Sequence, residues 1–172
     1  MNNDNIFSGL SAATLHLLMP NDTEKARLTS IIEKITVDPA QLAPAPHNIF
    51  AAFRDCPLEA ATAVILGQDP YPGKDKAGAT VANGKSYSTA PHITIQPSAR
   101  AIFACLVKSG HMTELPRHGD LTAWSNQGIL LLNAIPTTLI GKSEAHVRDW
   151  QDYMAALFER LAAYRNAKGH LL

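Results

Sequence analysis

The sequence predicts an α/β fold built on a short parallel sheet, and three observations carry that expectation. Two short, continuous apolar runs, "TAVILG" (62–67) and "GILLLN" (128–133), have the composition of strands buried on both faces. Segments with helical spacing of apolar residues precede, separate and follow them. The resulting order is helix, strand, helix, strand, helix, which favours parallel pairing through a crossover.

Each element has its own justification. In "NDTEKARLTSIIEKI", Asn21 with Glu24 three residues later fits a capping box, and Leu28, Ile31, Ile32 and Ile35 form one apolar stripe. The proline- and alanine-rich stretch "DPAQLAPAPHN" (38–48) reads as an extended strap between elements, not a domain boundary. The run 62–67 is β-branched and ends at glycine. Pro97 and Ser98 then open a helix carrying Ile102, Phe103, Leu106 and Val107. After the second run, Ser143 is placed to cap a longer helix in which Val147, Trp150, Met154, Leu157 and Leu161 repeat at three and four.

Composition narrows the function classes. At 172 residues with 46% hydrophobic content, the chain can bury one sizeable core, which implies a single domain over 1–172. The formal net charge is zero, so no global positive field advertises nucleic acid or an anionic membrane, and such binding must be local. Cys56 and Cys105 lack metal or redox spacing and point to a reducing compartment. The N-terminus lacks a basic leader, and no run is long enough to span a bilayer. A cytoplasmic protein without membrane contact is the expectation. The seven histidines show no ligand-like spacing, so neither metal nor cofactor is implied; His146, four residues before Trp150, fits packing or capping.

In parallel α/β sheets, ligands gather outside the carboxyl ends of the strands. Gln68 and Asp69 follow the first run and Asn133 ends the second, so a carboxylate and an amide from separate strands would face one crevice. Asp and Asn also begin turns, and that ordinary role stands beside the functional one for each. Prolines 70 and 72 stiffen the first turn.

With these residues in place, "GQDPYPG" (67–73) and "HGDLTAWSNQGILLLN" (118–133) resemble the uracil-DNA glycosylase family. "NIFAAFRDCPLEAATAVILGQDPY" is similar to the approach to its first strand, "GKSYST" (84–89) to its base-stacking segment, "QPSARAIF" to its Pro-Ser helix start and "GKSEAH" (141–146) to the loop after its second strand. The resemblance covers roughly residues 43 to 165, with weaker similarity in the first helix. It implies a three-layer α/β/α fold with a short central parallel sheet. It also implies an enzyme that flips uracil out of single- or double-stranded DNA and hydrolyses its N-glycosidic bond without a cofactor.

Roles follow from the resemblance position by position. Asn133 resembles the residue whose carboxamide pairs with uracil N3–H and O4, a pattern that cytosine reverses. Tyr87 stands where the family stacks a ring on the base; it is tyrosine where phenylalanine is usual, and an ordinary half-buried aromatic is the alternative. Tyr71 resembles the residue against the C5 edge that a thymine methyl would strike. Asp69 resembles the acid that positions water and steadies the oxocarbenium-like sugar. Gln68 looks like a pocket-wall contact. Pro97 and Ser98 resemble a phosphate-gripping loop, although Ser98 also suits a plain N-cap. The implied partners are DNA and, beyond it, a proteinaceous inhibitor or a replication or repair protein, with the chain itself a monomer.

Three departures mark the match. Pro72 stands where the family usually has histidine. The stretch "KDKAGATV" (74–81) is several residues longer than the usual link, adds Lys74 and Lys76, and has the character of a mobile flap whose lysines either meet phosphate or are solvated. The chain also stops where the family continues into further strands and a His-Pro-Ser loop; His170 does not align with that loop's histidine. Two explanations follow: a fragment of an ordinary glycosylase, which an ending inside the apolar "HLL" favours, or a complete but reduced relative whose missing parts come from a partner chain or are dispensable; a catalytically weak DNA-binding or protein-interaction scaffold is the alternative function. The same departure predicts an exposed sheet edge at Val64–Leu66.

Overall fold

A computed structural model describes residues 5–167. Helix α1 (Ala12–Leu18) starts behind Ser11, whose hydroxyl accepts from the Thr14 N–H at 3.2 Å. Helix α2 (Asp22–Ile35) starts behind Asn21, which accepts from the Glu24 N–H at 2.9 Å, and the stripe Leu28, Ile31, Ile32 and Ile35 is buried as the spacing predicts. The second half of the capping box is used elsewhere: the Glu24 carboxylate accepts from Arg160 at 3.0 Å in the last helix.

The 38–48 strap is not simply extended. Asp38 caps a single 3-10 turn (Pro39–Gln41), and a second 3-10 turn covers Pro46–Asn48. Between them β1 (Leu42–Ala43) pairs antiparallel with β4 (Thr138–Leu139). Helix α3 (Ala51–Asp55) follows and leads to the main sheet.

That sheet is β2 (Ala63–Gly67) and β3 (Ile129–Asn133), parallel and in register from Ala63 opposite Ile129 to Gly67 opposite Asn133. Helices α4 (Pro97–Lys108) and α5 (Thr122–Ser125) lie in the crossover between them. Alternation along the strands then divides the core. Leu130 and Leu132, with Val64 packed against them, join residues of α1, α2, α3 and α6 (Val147–Ala167), whereas Leu131 packs with Ala99, Phe103 and Leu121, with Ile65 and Ile129 beside it. Helices therefore cover both faces of the sheet. β3 is fully sandwiched, which is why its apolar run is unbroken.

β2 corrects one expectation. Its residues are not buried on both faces: Ala63 is exposed, Val64 and Ile65 are half-buried, and Leu66 is 49% exposed. Among the described residues β2 pairs with β3 alone, and that open edge is what leaves the strand partly uncovered.

Ser143 does not cap α6. Glu144 has φ of +58°, a left-handed conformation that a helix cannot pass through, so the helix begins at Val147 and its Trp150 N–H reaches back to the His146 carbonyl at 3.1 Å. The predicted stripe holds beyond that point, with Trp150, Met154, Leu157 and Leu161 buried. Trp150 Nε1 donates to Thr137 Oγ1 at 2.7 Å and Tyr153 Oη to the Leu18 carbonyl at 2.7 Å, so the helix is held by polar bonds as well as by its apolar face. Among the described residues no helix is long and apolar enough to cross a membrane.

Candidate active site

The site is assembled where β2 and β3 end. Gly67 and Asn133 are register partners, and a Cβ on Gly67 would lie 2.5 Å from Asn133 Oδ1 and 2.8 Å from Ser86 Cβ. Only a hydrogen fits there. The chain stays paired past the strands, as the Ala134 N–H donates to the Gly67 carbonyl at 2.8 Å and the Ile135 N–H to Gln68 at 2.9 Å. Gln68 and Asp69 are thereby held beside Asn133, whose residue is 9% exposed.

The 141–146 loop closes against this turn. The Gly141 N–H donates to the Pro72 carbonyl at 2.9 Å, the Glu144 N–H donates to Asp69 Oδ2 at 2.7 Å, and Gln68 Nε2 donates to Glu144 Oε1. Ser143, predicted as a helix cap, instead lines the pocket beside them.

Two tyrosines also line the site. Tyr71 Oη and Ser98 Oγ share a hydrogen bond of 2.7 Å, linking the turn to the first residues of α4. Burial raises the Tyr71 phenol above its ordinary pKa, and the smaller, opposing effect of the Ser98 bond does not reverse that. Tyr71 is therefore a neutral, apolar-bodied wall at physiological pH. Tyr87 is a second non-glycine residue with positive φ, +61°, and its hydroxyl donates to the Leu66 carbonyl at 3.3 Å. Its flanks are pinned: Ser86 Oγ donates to the Ile65 carbonyl at 3.1 Å, and Ser88 Oγ accepts from the Leu121 N–H at 3.0 Å. Lys85, 6% exposed, donates to Asp55 at 2.5 Å and Thr122 at 2.7 Å.

The pocket has a volume of about 260 Å³ and is lined by Gln68, Asp69, Tyr71, Tyr87, Ser98 and Asn133, with Gly67, Pro70, Pro72, Ala82, Lys85 and Ser143. Pro97 does not line it; it is the exposed first residue of α4. A carboxylate, a carboxamide and aromatic walls thus converge on a space of single-base scale.

No protein-family model matches the sequence. A uracil-DNA glycosylase of Oceanobacillus iheyensis is 37% identical over 158 residues, 90% of this chain and 64% of that protein. The chain belongs to the uracil-DNA glycosylase family. The crystal structure of mimivirus uracil-DNA glycosylase has a TM-score of 0.83 at 28% identity, covering 95% of this chain and 59% of that one. A variant of the same viral protein, solved in complex with UGI, has a TM-score of 0.71 at 34% identity over 80% of this chain and 49% of that one. The chain therefore spans between about half and two thirds of the length of these relatives.

Against the glycosylase pattern, the departures have definite structures. Pro72 contributes its carbonyl to the 141–146 loop. The 74–81 stretch folds into a hydrogen-bonded turn: Asp75 Oδ1 accepts from the Ala77 and Ala79 N–H groups at 2.8 and 2.9 Å, and Asp75 Oδ2 lies 3.2 Å from His92 Nε2. Those bonds, the Ala79 N–H first, hold the Asp75 carboxyl below its usual pKa. Lys74 and Lys76 are exposed on this turn. Ser98 is not the N-cap of α4; Gln96 occupies that position, and the serine hydroxyl is turned to Tyr71. His146 is buried with Nδ1 3.0 Å from Thr137 Oγ1, the packing role expected of it. His170 lies outside the described residues.

Sequence reasoning did not single out Glu144 or Lys85. Lys85 carried a signal, a lone charge beside small polar residues in "GKSYST". Glu144 carried none, because its contribution comes from a backbone conformation that glutamate rarely adopts.

Proposed function

We propose that this chain carries the uracil-excising site of a DNA base-excision repair glycosylase. The observation that supports it best is that Asp69 and Asn133 line one pocket, side by side at the carboxyl ends of adjacent parallel strands. A uracil flipped from the stack would place its N3–H and O4 against the Asn133 carboxamide and a face against Tyr87, with Tyr71 at the C5 edge. Asp69, with one oxygen held by the Glu144 N–H, offers its other oxygen to a water and its charge to the cation that forms at the sugar as the N-glycosidic bond breaks. The bond's electron pair leaves with uracil, and the water adds its oxygen at the sugar carbon and gives up a proton that ends on the departing uracil, leaving an abasic site. Ser98 and Pro97, at the exposed start of α4, would meet a phosphate beside the flipped nucleotide.

No cofactor is required by this chemistry. A proteinaceous inhibitor is a further candidate partner, since a variant of the viral relative was solved in complex with UGI. A cytoplasmic setting belongs to this reading on the sequence alone, from the spacing of Cys56 and Cys105.

The test is uracil release by the 1–172 chain from an end-labelled single-stranded oligonucleotide with one deoxyuridine, read as alkali-cleaved product, with Asp69→Asn alongside. Release by the parent and its loss in the variant support the proposal. Equal rates would remove Asp69 from the chemistry, and tight binding of the oligonucleotide without release would assign the chain to the scaffold class.

A further inference from the structure

Outside the roles assigned so far, one residue touches both polar side chains of the first turn. Glu144 donates its backbone N–H to Asp69 Oδ2 at 2.7 Å and accepts from Gln68 Nε2 with its own carboxylate. It does so from φ of +58°, and the only other non-glycine residue with positive φ among those described, Tyr87, also belongs to the pocket. A left-handed glutamate is strained, and such strain persists where surrounding contacts fix it. Here the contacts are visible: the Ala145 N–H donates to Thr138 Oγ1 at 3.1 Å, Thr138 Oγ1 donates to the Lys142 carbonyl at 2.6 Å, and the Gly141 N–H is bonded to Pro72. The loop is clamped at both ends, with the strained residue between the clamps.

We propose that Glu144 is a positioning residue, whose left-handed backbone aims its N–H at Asp69 and whose carboxylate orients the Gln68 carboxamide. This rests on the uracil-excision reading for its effect on rate, but not for the contact itself. A freely rotating Asp69 carboxylate would sample orientations that cannot hold a water at the sugar. The Glu144 N–H removes that freedom at one oxygen and leaves the other to the reaction.

Two substitutions separate backbone from side chain. Glycine adopts positive φ without strain and keeps the N–H, whereas a β-branched residue resists it. Both variants lose the carboxylate that holds Gln68 and should raise KM alike, whereas Glu144→Gly, which keeps the left-handed N–H on Asp69, should lower kcat far less than Glu144→Val, which should lower it on the order of a hundredfold. Equal rates in the two variants would overturn the proposal. A second measurement needs no turnover: the amide proton of residue 144, followed by nuclear magnetic resonance in the parent, should be strongly deshielded and slow to exchange. Asp69→Ala should abolish both properties. An amide indifferent to Asp69→Ala would refute the positioning contact even in an active protein, and a contact present in a protein that releases no uracil would overturn the functional reading alone.

Discussion

Gly67 and Asn133 face each other in the parallel register so closely that a methyl group on Gly67 would lie 2.5 Å from Asn133 Oδ1. The carboxamide proposed to read uracil therefore owes its place to the absence of a side chain across the ladder. Gly67→Ala should push that carboxamide out of its pose and also press on Ser86, whose Cβ is 2.8 Å away. Overpacking of this kind costs about 1–3 kcal/mol of stability. Uracil release should fall by tenfold or more, since a misplacement of order 1 Å at a reacting site can cost about a hundredfold. Denaturant unfolding beside the release assay checks the separation: a protein that stays folded with its rate intact would show that the glycine is not what positions Asn133.

Discrimination between uracil and cytosine should lie in that same carboxamide. Asn133→Asp replaces two donors by an acceptor, or by a hydroxyl when protonated, and changes which pyrimidine edge can pair. A site built to hydrogen-bond one edge rejects an analogue that leaves its buried groups unpaired. The variant should lose uracil release and gain measurable cytosine release relative to the parent. Matched oligonucleotides with a single deoxyuridine or deoxycytidine measure the ratio, and an unchanged ratio would assign base selection elsewhere.

What was legible in the sequence follows from which forces are local. The runs ending at Gly67 and Asn133 read as strands because apolar continuity survives translation into structure, and Asp69 stood out because a carboxylate terminated such a run. Ser143 was misread because serine before an apolar stripe is an ordinary cap signal; the positive φ at Glu144 that moves the helix start to Val147 has no counterpart in residue type. The burial of β2 was overestimated because composition reports what a strand could bury, while neighbours decide what it does bury. The β1–β4 ladder was invisible because two paired residues on each strand carry no periodicity.

Lys85 should contribute stability to the segment that carries Tyr87. Its ammonium, almost wholly removed from solvent, pairs with Asp55, which is 30% exposed on its side chain, and with Thr122, whose hydroxyl in turn donates to Asp120 at 2.6 Å. Lys85→Met leaves the part-buried Asp55 carboxylate without its ammonium partner, and an unsatisfied group of this kind costs about 1–3 kcal/mol. Lys85→Met should destabilise by that amount, and Lys85→Met combined with Asp55→Leu should recover part of it. Denaturant midpoints for the two singles and the double complete the cycle; strictly additive effects would mean that the pair is not coupled.

His146 should make stability fall on mild acidification. Burial lowers its pKa below the ordinary 6.5; the charge of Asp149 and the bond at Thr137 oppose that effect without overcoming it, and Lys34 adds to it. With Nδ1 against Thr137 and the ring buried beside the start of α6, the folded protein holds the imidazole neutral. The unfolded chain binds a proton at about pH 6.5 while the folded protein does not, so the unfolded state carries more protons just below that pH. Stability therefore rises with pH in this window. The contribution is fully present above about pH 6.5 and is lost progressively as pH falls below it toward the folded pKa. Thermal unfolding between pH 7.5 and 5 should show Tm dropping with acid, and His146→Gln, which keeps a polar partner for Thr137 but cannot titrate, should flatten that slope. A slope unchanged in the variant would place the acid sensitivity in another group.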